Sequence, residues 1–137
     1  MHAARCPGVH GLRTLVADDD FAFLDLVATA LERRGAHAVR ASCGDELMAA
    51  IADNHPFDVV VTDVQMPWMT GLQVMHSVRT AGLRTPTVIM TGSRDPKIAA
   101  QVQALGHSFA LLYKPFSIAQ LLAAVRVCLG RLGASAA

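Results

Sequence analysis

Six side chains of this sequence are suited to phosphate or metal chemistry: the consecutive Asp18, Asp19 and Asp20, then Asp63, Thr91 and Lys114. Crowded carboxylates oppose one another's ionisation unless a cation lies among them. Hard oxygen donors in twos and threes favour magnesium, which keeps several waters and takes few protein ligands beside phosphate oxygens. A carboxylate can also be the nucleophile in phosphoryl transfer, provided that positive charge offsets the charge on the transferring group. Lys114 and a metal would supply that charge. A hydroxyl at Thr91 could donate to a phosphoryl oxygen, so that its position would register the presence of phosphate.

Each of these residues also has a plain structural explanation. Three aspartates after a strand suit the positive end of a helix dipole. Thr91 alone is an ordinary β-branched strand residue, and Lys114 alone an ordinary surface lysine. Asp63 resists that reading, because it follows Val59-Val60-Val61-Thr62 and a structural aspartate rarely ends a buried strand without a partner. Joint placement at strand ends is what gives the set its weight.

The elements that would place them there are legible. Short runs rich in Val, Ile and Leu alternate with longer amphipathic stretches, in five pairs. Residues 12–17 read as the first strand, and Leu24, Val27, Ala28 and Leu31 then mark one helix face before Gly35. Residues 37–41 form a second strand, followed by a helix over 45–53 that Asn54-His55-Pro56 ends. Residues 58–62 form the third strand and contain Val59-Val60-Val61, a run apolar on both faces as a central parallel strand covered by helices requires. A third helix begins near Gly71, and residues 87–90 make the fourth strand. Asp95-Pro96 offers an N-cap and a proline at the first helical position of a helix that runs to about Leu105. Residues 109–112 give the fifth strand. Ser117 and Gln120 then form a capping-box pattern ahead of Ile118, Leu121, Leu122, Val125 and Leu129, and Gly133 with the Ala/Ser tail ends that helix. Right-handed crossovers put helices on both sides of such a sheet, giving a doubly wound parallel α/β fold. Its reactive site lies beyond the carboxyl ends of the strands. Asp18, Asp19, Asp63, Thr91 and Lys114 all fall on that rim.

Composition narrows the function. With 137 residues the chain suits one domain: a flexible lead-in over 1–11, the domain over 12–132 and a C-terminal tail over 133–137. A net charge of +1 and 17% charged residues give no reason to expect direct nucleic-acid binding. No apolar run is long enough for membrane insertion. Cys6, Cys43 and Cys128 lack disulfide or zinc spacing, which fits reduced thiols in a cytoplasmic protein. The histidines show no metal-ligand spacing, and Met66, Met69, Met75 and Met90 read as core and loop filling.

Four segments together resemble a known family: LVADDD, VVVTDVQMPWMTG around Asp63, VIMTG ending in Thr91-Gly92, and YKPF with Lys114-Pro115. From Leu12 to about Leu132 the chain is similar to the response-regulator receiver domains of two-component signalling, in their single-domain, chemotaxis-regulator-like form. The resemblance implies a flavodoxin-like sheet of strand order 2-1-3-4-5 with five helices. It makes Asp63 the phosphoacceptor, served by a sensor histidine kinase or histidine phosphotransfer protein. Asp18, Asp19, Asp63 and the backbone carbonyl of Gln65 would hold Mg2+, leaving Asp20 a bystander. Thr91 would be the switch hydroxyl and Lys114 the phosphoryl contact, with a cis bond before Pro115; Gly71 would permit the turn after the site. The implied protein is a stand-alone signalling switch rather than an enzyme, with at most self-phosphorylation from small donors and slow autodephosphorylation. Its output would pass to a downstream protein target, or to a homodimer, through the fourth helix, fifth strand and fifth helix.

Two features depart from the family pattern, the aromatic position before the lysine and the run from Gly106 to Lys114, which is one residue longer than usual. The position three before Lys114, usually aromatic, holds Leu111, while Phe109 and Tyr113 flank it. Either Phe109 takes the switch role through a shifted strand, or the threonine–aromatic coupling is altered or absent. Trp68 stands beside the acceptor, as a docking anchor or as packing over the third helix.

Competing classes lack key parts. A haloacid-dehalogenase-like phosphatase would place a second aspartate two after the nucleophile, where this chain has Gln65. A flavodoxin-like nucleotide binder would need a glycine-rich loop where Asp18-Asp19-Asp20 stands. A phosphate-independent binding module would have no use for the intact acidic and lysine set.

Overall fold

The computed structural model describes residues 9–66, 69–106 and 108–136, the last six of these by backbone alone. The alternating pattern resolves into β1 (Arg13–Ala17), α1 (Phe21–Glu32), β2 (His37–Ala41), α2 (Gly44–Asn54), β3 (Val59–Asp63), α3 (Gly71–Thr80), β4 (Thr87–Thr91), α4 (Pro96–Leu105), β5 (Phe109–Tyr113) and α5 (Ile118–Ala136). The strands are all parallel, in the order β2-β1-β3-β4-β5. This is the expected doubly wound sheet of strand order 2-1-3-4-5.

Period-two alternation sorts the strand side chains between two cores. Leu15, Val60 and Ile89 pack under α2, α3 and α4 with Leu47, Ile51, Val74, Met75 and Val102. Val16, Val59, Val61, Val88 and Met90 face α1 and α5, meeting Leu24, Val27, Leu31, Leu121 and Val125. The side chains of Val59, Val60 and Val61 are no more than 1% exposed because helices cover β3 on both sides.

The helix starts follow local chemistry. The Asp20 carboxylate accepts from Phe23 N, and the Asp95 carboxylate accepts from Lys97 N ahead of Pro96. Reciprocal capping boxes join Thr70 with Gln73 and Ser117 with Gln120. After α1 the chain turns at Gly35, where φ is +91°, a region open to glycine at little cost.

Two expectations need correction. The helix α5 does not stop at Gly133 but runs to Ala136. A glycine inside a helix costs only about 1 kcal/mol against alanine, and the neighbouring Leu, Arg and Ala favour helix. The lead-in is not loose throughout: Val9 is 2% exposed in the α1/α5 core, and Gly11 N donates to Gly35 O. Residues 1–8 of that lead-in lie outside the described residues, as does Trp68. Asp20 stays outside the carboxylate cluster, as expected, and caps α1 instead. The methionines do fill space as expected, with Met66, Met75 and Met90 buried and Met69 partly so. Both Lys114–Pro115 and His55–Pro56 are cis, the second without any sequence signal.

Candidate functional site

Strand order brings the acidic residues together. The chain leaves β1 in one direction to form β2 and returns to form β3 on the other side, so β1 and β3 are neighbours with their carboxyl ends at one rim. Ala17 pairs with Thr62, which puts Asp18 beside Asp63 although 44 other residues separate them in sequence. One carboxylate oxygen from each of Asp18, Asp19 and Asp63 lies within 4.8 Å of the others. Asp18 and Asp63 are buried, and Asp19 is exposed.

Lys114 reaches the same point from the end of β5. Its Nζ donates to Asp18 Oδ2 at 2.8 Å and lies 3.3 Å from Asp63 Oδ1. The ammonium also stands 4.4 Å from the centre of the Phe23 ring, which meets Phe116 edge to face at 5.6 Å. The ring face attracts the charge while its apolar body limits where the lysine stem can go. Asp18 is held from both sides, because its Oδ1 accepts from Asp20 N at 2.9 Å. Asp18, Asp63 and Lys114 are thus tied together before any ligand arrives.

The electrostatics follow from burial and crowding. Burial and the facing Asp18 carboxylate push Asp63 up to about 6, against the pull of Lys114. Burial alone would lower the Lys114 ammonium, yet its hydrogen bond to Asp18 and the charge of Asp63 hold it above its usual value. Three carboxylates against one ammonium leave a formal charge of −2 in this pocket. A divalent cation matches that charge. Asp18, Asp19 and Asp63 would hold such a cation through hard carboxylate oxygens of the kind magnesium favours.

Gly71 sets the shape of the floor. A Cβ at that position would run into the Asp63 carbonyl oxygen and stand 2.7 Å from Thr62 Oγ1. The glycine is needed for this close approach rather than for an unusual backbone angle, a more specific reason than the expected turn. Gln65 lies exposed in the loop two residues beyond Asp63. Thr91 is fully buried at the end of β4, and its Oγ1 accepts from Ser93 N at 3.0 Å rather than contacting Asp63.

The expected Asp18, Asp19, Asp63 and Lys114 therefore meet, with Thr91 on the adjoining strand end. Sequence reasoning missed Phe23 and Phe116. Phe116 stood in the YKPF segment, but nothing local showed that Phe23 would lie under the same lysine. The register also decides the aromatic question: β5 pairs with β4 without a shift, Thr87 with Phe109, Ile89 with Leu111 and Thr91 with Tyr113. Phe109 is buried four positions along the strand from the Thr91 end, about 13 Å at ~3.3 Å per residue. Leu111 pairs with Ile89, so no shift of the strand carries Phe109 to that position.

The family described as "Response regulator receiver domain" matches residues 14–126. This chain belongs to that family. The receiver domain is 34% identical over 118 residues to the transcriptional regulatory protein FixJ of Azorhizobium caulinodans, covering 85% of this chain and 54% of the relative. It is 36% identical over 121 residues to the response regulator MprA of Mycobacterium sp. strain KMS, covering 88% and 51%. The chain thus spans about half the length of these curated relatives. Among solved structures, the chemotaxis response regulator CheY4 of Vibrio cholerae superposes with a TM-score of 0.75 at 31% identity, covering 85% of this receiver domain and 98% of that chain. Domains of this family are signalling phosphoacceptors of two-component systems, with an acidic pocket that generally binds Mg2+. No helix among the described residues of this receiver domain is long and apolar enough to cross a membrane.

Proposed function

We propose that this receiver domain, over residues 12–132, works in the cytoplasm and accepts a phosphoryl group on Asp63 from a phosphohistidine of a sensor histidine kinase or histidine phosphotransfer protein. The observation that carries this reading is the buried Asp63 carboxylate at a strand end, with Lys114 Nζ at 3.3 Å and two further carboxylates beside it. An Asp63 oxygen attacks phosphorus, the P–N bond breaks, and the imidazole leaves with the electron pair and takes up a proton. Lys114 offsets charge on the transferred group. Asp18, Asp19, Asp63 and the Gln65 carbonyl are the proposed holders of Mg2+, which when bound would neutralise phosphoryl oxygens. Thr91 is the proposed hydroxyl that senses the phosphoryl group. The domain acts as a switch rather than a turnover enzyme, because no second carboxylate stands at Gln65 to serve as a general acid. Output passes by protein contact through the face formed by α4, β5 and α5, to a downstream target or a second copy.

The test is intact-mass analysis after incubation with acetyl phosphate or phosphoramidate, with and without magnesium, on wild type and Asp63→Asn. A magnesium-dependent gain of one phosphoryl group, absent in the variant, is expected. No adduct under any condition, with a silent beryllofluoride titration, would overturn the proposal and leave a phosphate-independent binding module.

A further inference from the structure

The loop from β4 to α4 is tied down twice, and the two ties share one short segment. Inside the segment, Thr91 Oγ1 accepts from Ser93 N at 3.0 Å, Ser93 Oγ accepts from Asp95 N at 3.1 Å, and Asp95 caps α4 through Lys97 N at 2.9 Å. A continuous run of side-chain to backbone hydrogen bonds thus leads from the buried Thr91 hydroxyl to the first turn of α4. Across the segment, the exposed Arg94 places its guanidinium 4.3 Å from the centre of the Tyr113 ring. Tyr113 is the β5 residue paired with Thr91, and the next residue, Lys114, donates its backbone N–H to Thr91 O at 2.7 Å. Arg94 therefore stacks on the strand position directly opposite the hydroxyl that starts the run.

This geometry couples the two ties. A Thr91 hydroxyl that turns toward a phosphoryl group on Asp63 either gives up the Ser93 N–H or draws Ser93 along with it. Arg94 is the next residue, so both courses displace its guanidinium from a ring anchored in β5. Conversely, an Arg94 held on Tyr113 keeps Ser93 where Thr91 Oγ1 is its acceptor. We propose that Arg94 and Tyr113 form a latch that holds the β4–α4 loop in this arrangement and opposes the Thr91 movement that phosphorylation of Asp63 drives. The latch rests on the phosphoacceptor reading above, and the experiment separates the two. A partly exposed cation–π pair shifts an equilibrium by a factor of roughly two to five.

Tyr113 is the only tyrosine of the chain, so 3-fluorotyrosine labelling gives one fluorine reporter on the latch. Its resonance is expected to move when beryllofluoride and magnesium saturate the protein, and Arg94→Ala without them is expected to move it partway to the same position. In unlabelled protein, the fluorine signal of bound beryllofluoride gives the binding midpoint. That midpoint is expected roughly two- to five-fold lower in Arg94→Ala and in Tyr113→Leu, unchanged in Tyr113→Phe, and no lower in the double variant than in either single one. Beryllofluoride binding with a still Tyr113 resonance, or with the same midpoint in wild type and Arg94→Ala, would overturn the latch and leave Asp63 as acceptor. Absence of any bound beryllofluoride signal in wild type would overturn the phosphoacceptor reading and the latch with it.

Discussion

Replacing Asp63 with asparagine is expected to make the protein more stable, and the gain is set by where Asp63 sits. Burial and the neighbouring Asp18 carboxylate raise its pKa from an ordinary 3.8 to about 6, even with Lys114 pulling the other way. A carboxyl that binds its proton more tightly in the folded than in the unfolded state contributes stability that is full below pH 3.8 and lost as pH rises through about 6. Above that window the folded protein carries an unfavourable charge worth about 3 kcal/mol. Asparagine keeps the shape and an oxygen for Lys114 but never ionises, and Lys114 retains Asp18 at 2.8 Å. The assay is urea unfolding of both proteins in chelator at pH 4, 5, 6, 7 and 8. The stability difference is expected to be about 0.5 kcal/mol at pH 4, growing through pH 5 and 6 to about 2–3 kcal/mol at pH 7.5. Magnesium at saturation should shrink it, because only the native aspartate gains a cation. A variant no more stable than wild type at pH 7.5, or a difference that is flat from pH 4 to 8, would refute the electrostatic reasoning.

Other perturbations separate the parts of the site. Magnesium affinity should fall about tenfold per pH unit below pH 6 as Asp63 takes up its proton, measured by calorimetry between pH 5 and 7.5; a flat profile would count against Asp63 as a ligand. Gly71→Ala should cost about 1–3 kcal/mol, since its methyl meets the Asp63 carbonyl and Thr62 Oγ1, and unfolding curves alone would read this. Asp20→Ala should lose about 0.5–2 kcal/mol of stability through the α1 cap while leaving magnesium affinity unchanged, which tells the cap apart from the two aspartates beside it. Phe23→Leu should slow phosphorylation by phosphoramidate roughly two- to five-fold by unseating Lys114, with a rate equal to wild type as the contrary result.

Local sequence determined a great deal here, because its signals act over a few residues. The run Val59-Val60-Val61 dictates a strand covered on both faces, the spacing of Leu24, Val27, Ala28 and Leu31 dictates a buried helix stripe, and Asp95-Pro96 and Ser117 with Gln120 dictate helix starts. The acidic and lysine residues could also be assigned to one rim, since alternating strands and helices leave few ways to wind a parallel sheet. Other outcomes belong to tertiary structure. Gly133 does not by itself end a helix, and the propensity of its neighbours carries α5 to Ala136. Gly71 looks like a turn residue until the Asp63 carbonyl is seen where its side chain would be. The register of β5, which sets Tyr113 opposite Thr91 and Phe109 opposite Thr87, depends on pairing with β4. The seat of Lys114 on Phe23 and the stacking of Arg94 on Tyr113 join residues that are distant in sequence. Propensity and periodicity act between near neighbours along the chain, whereas a pocket's pKa, its room for a ligand and its aromatic contacts are set by whichever strands the sheet makes adjacent.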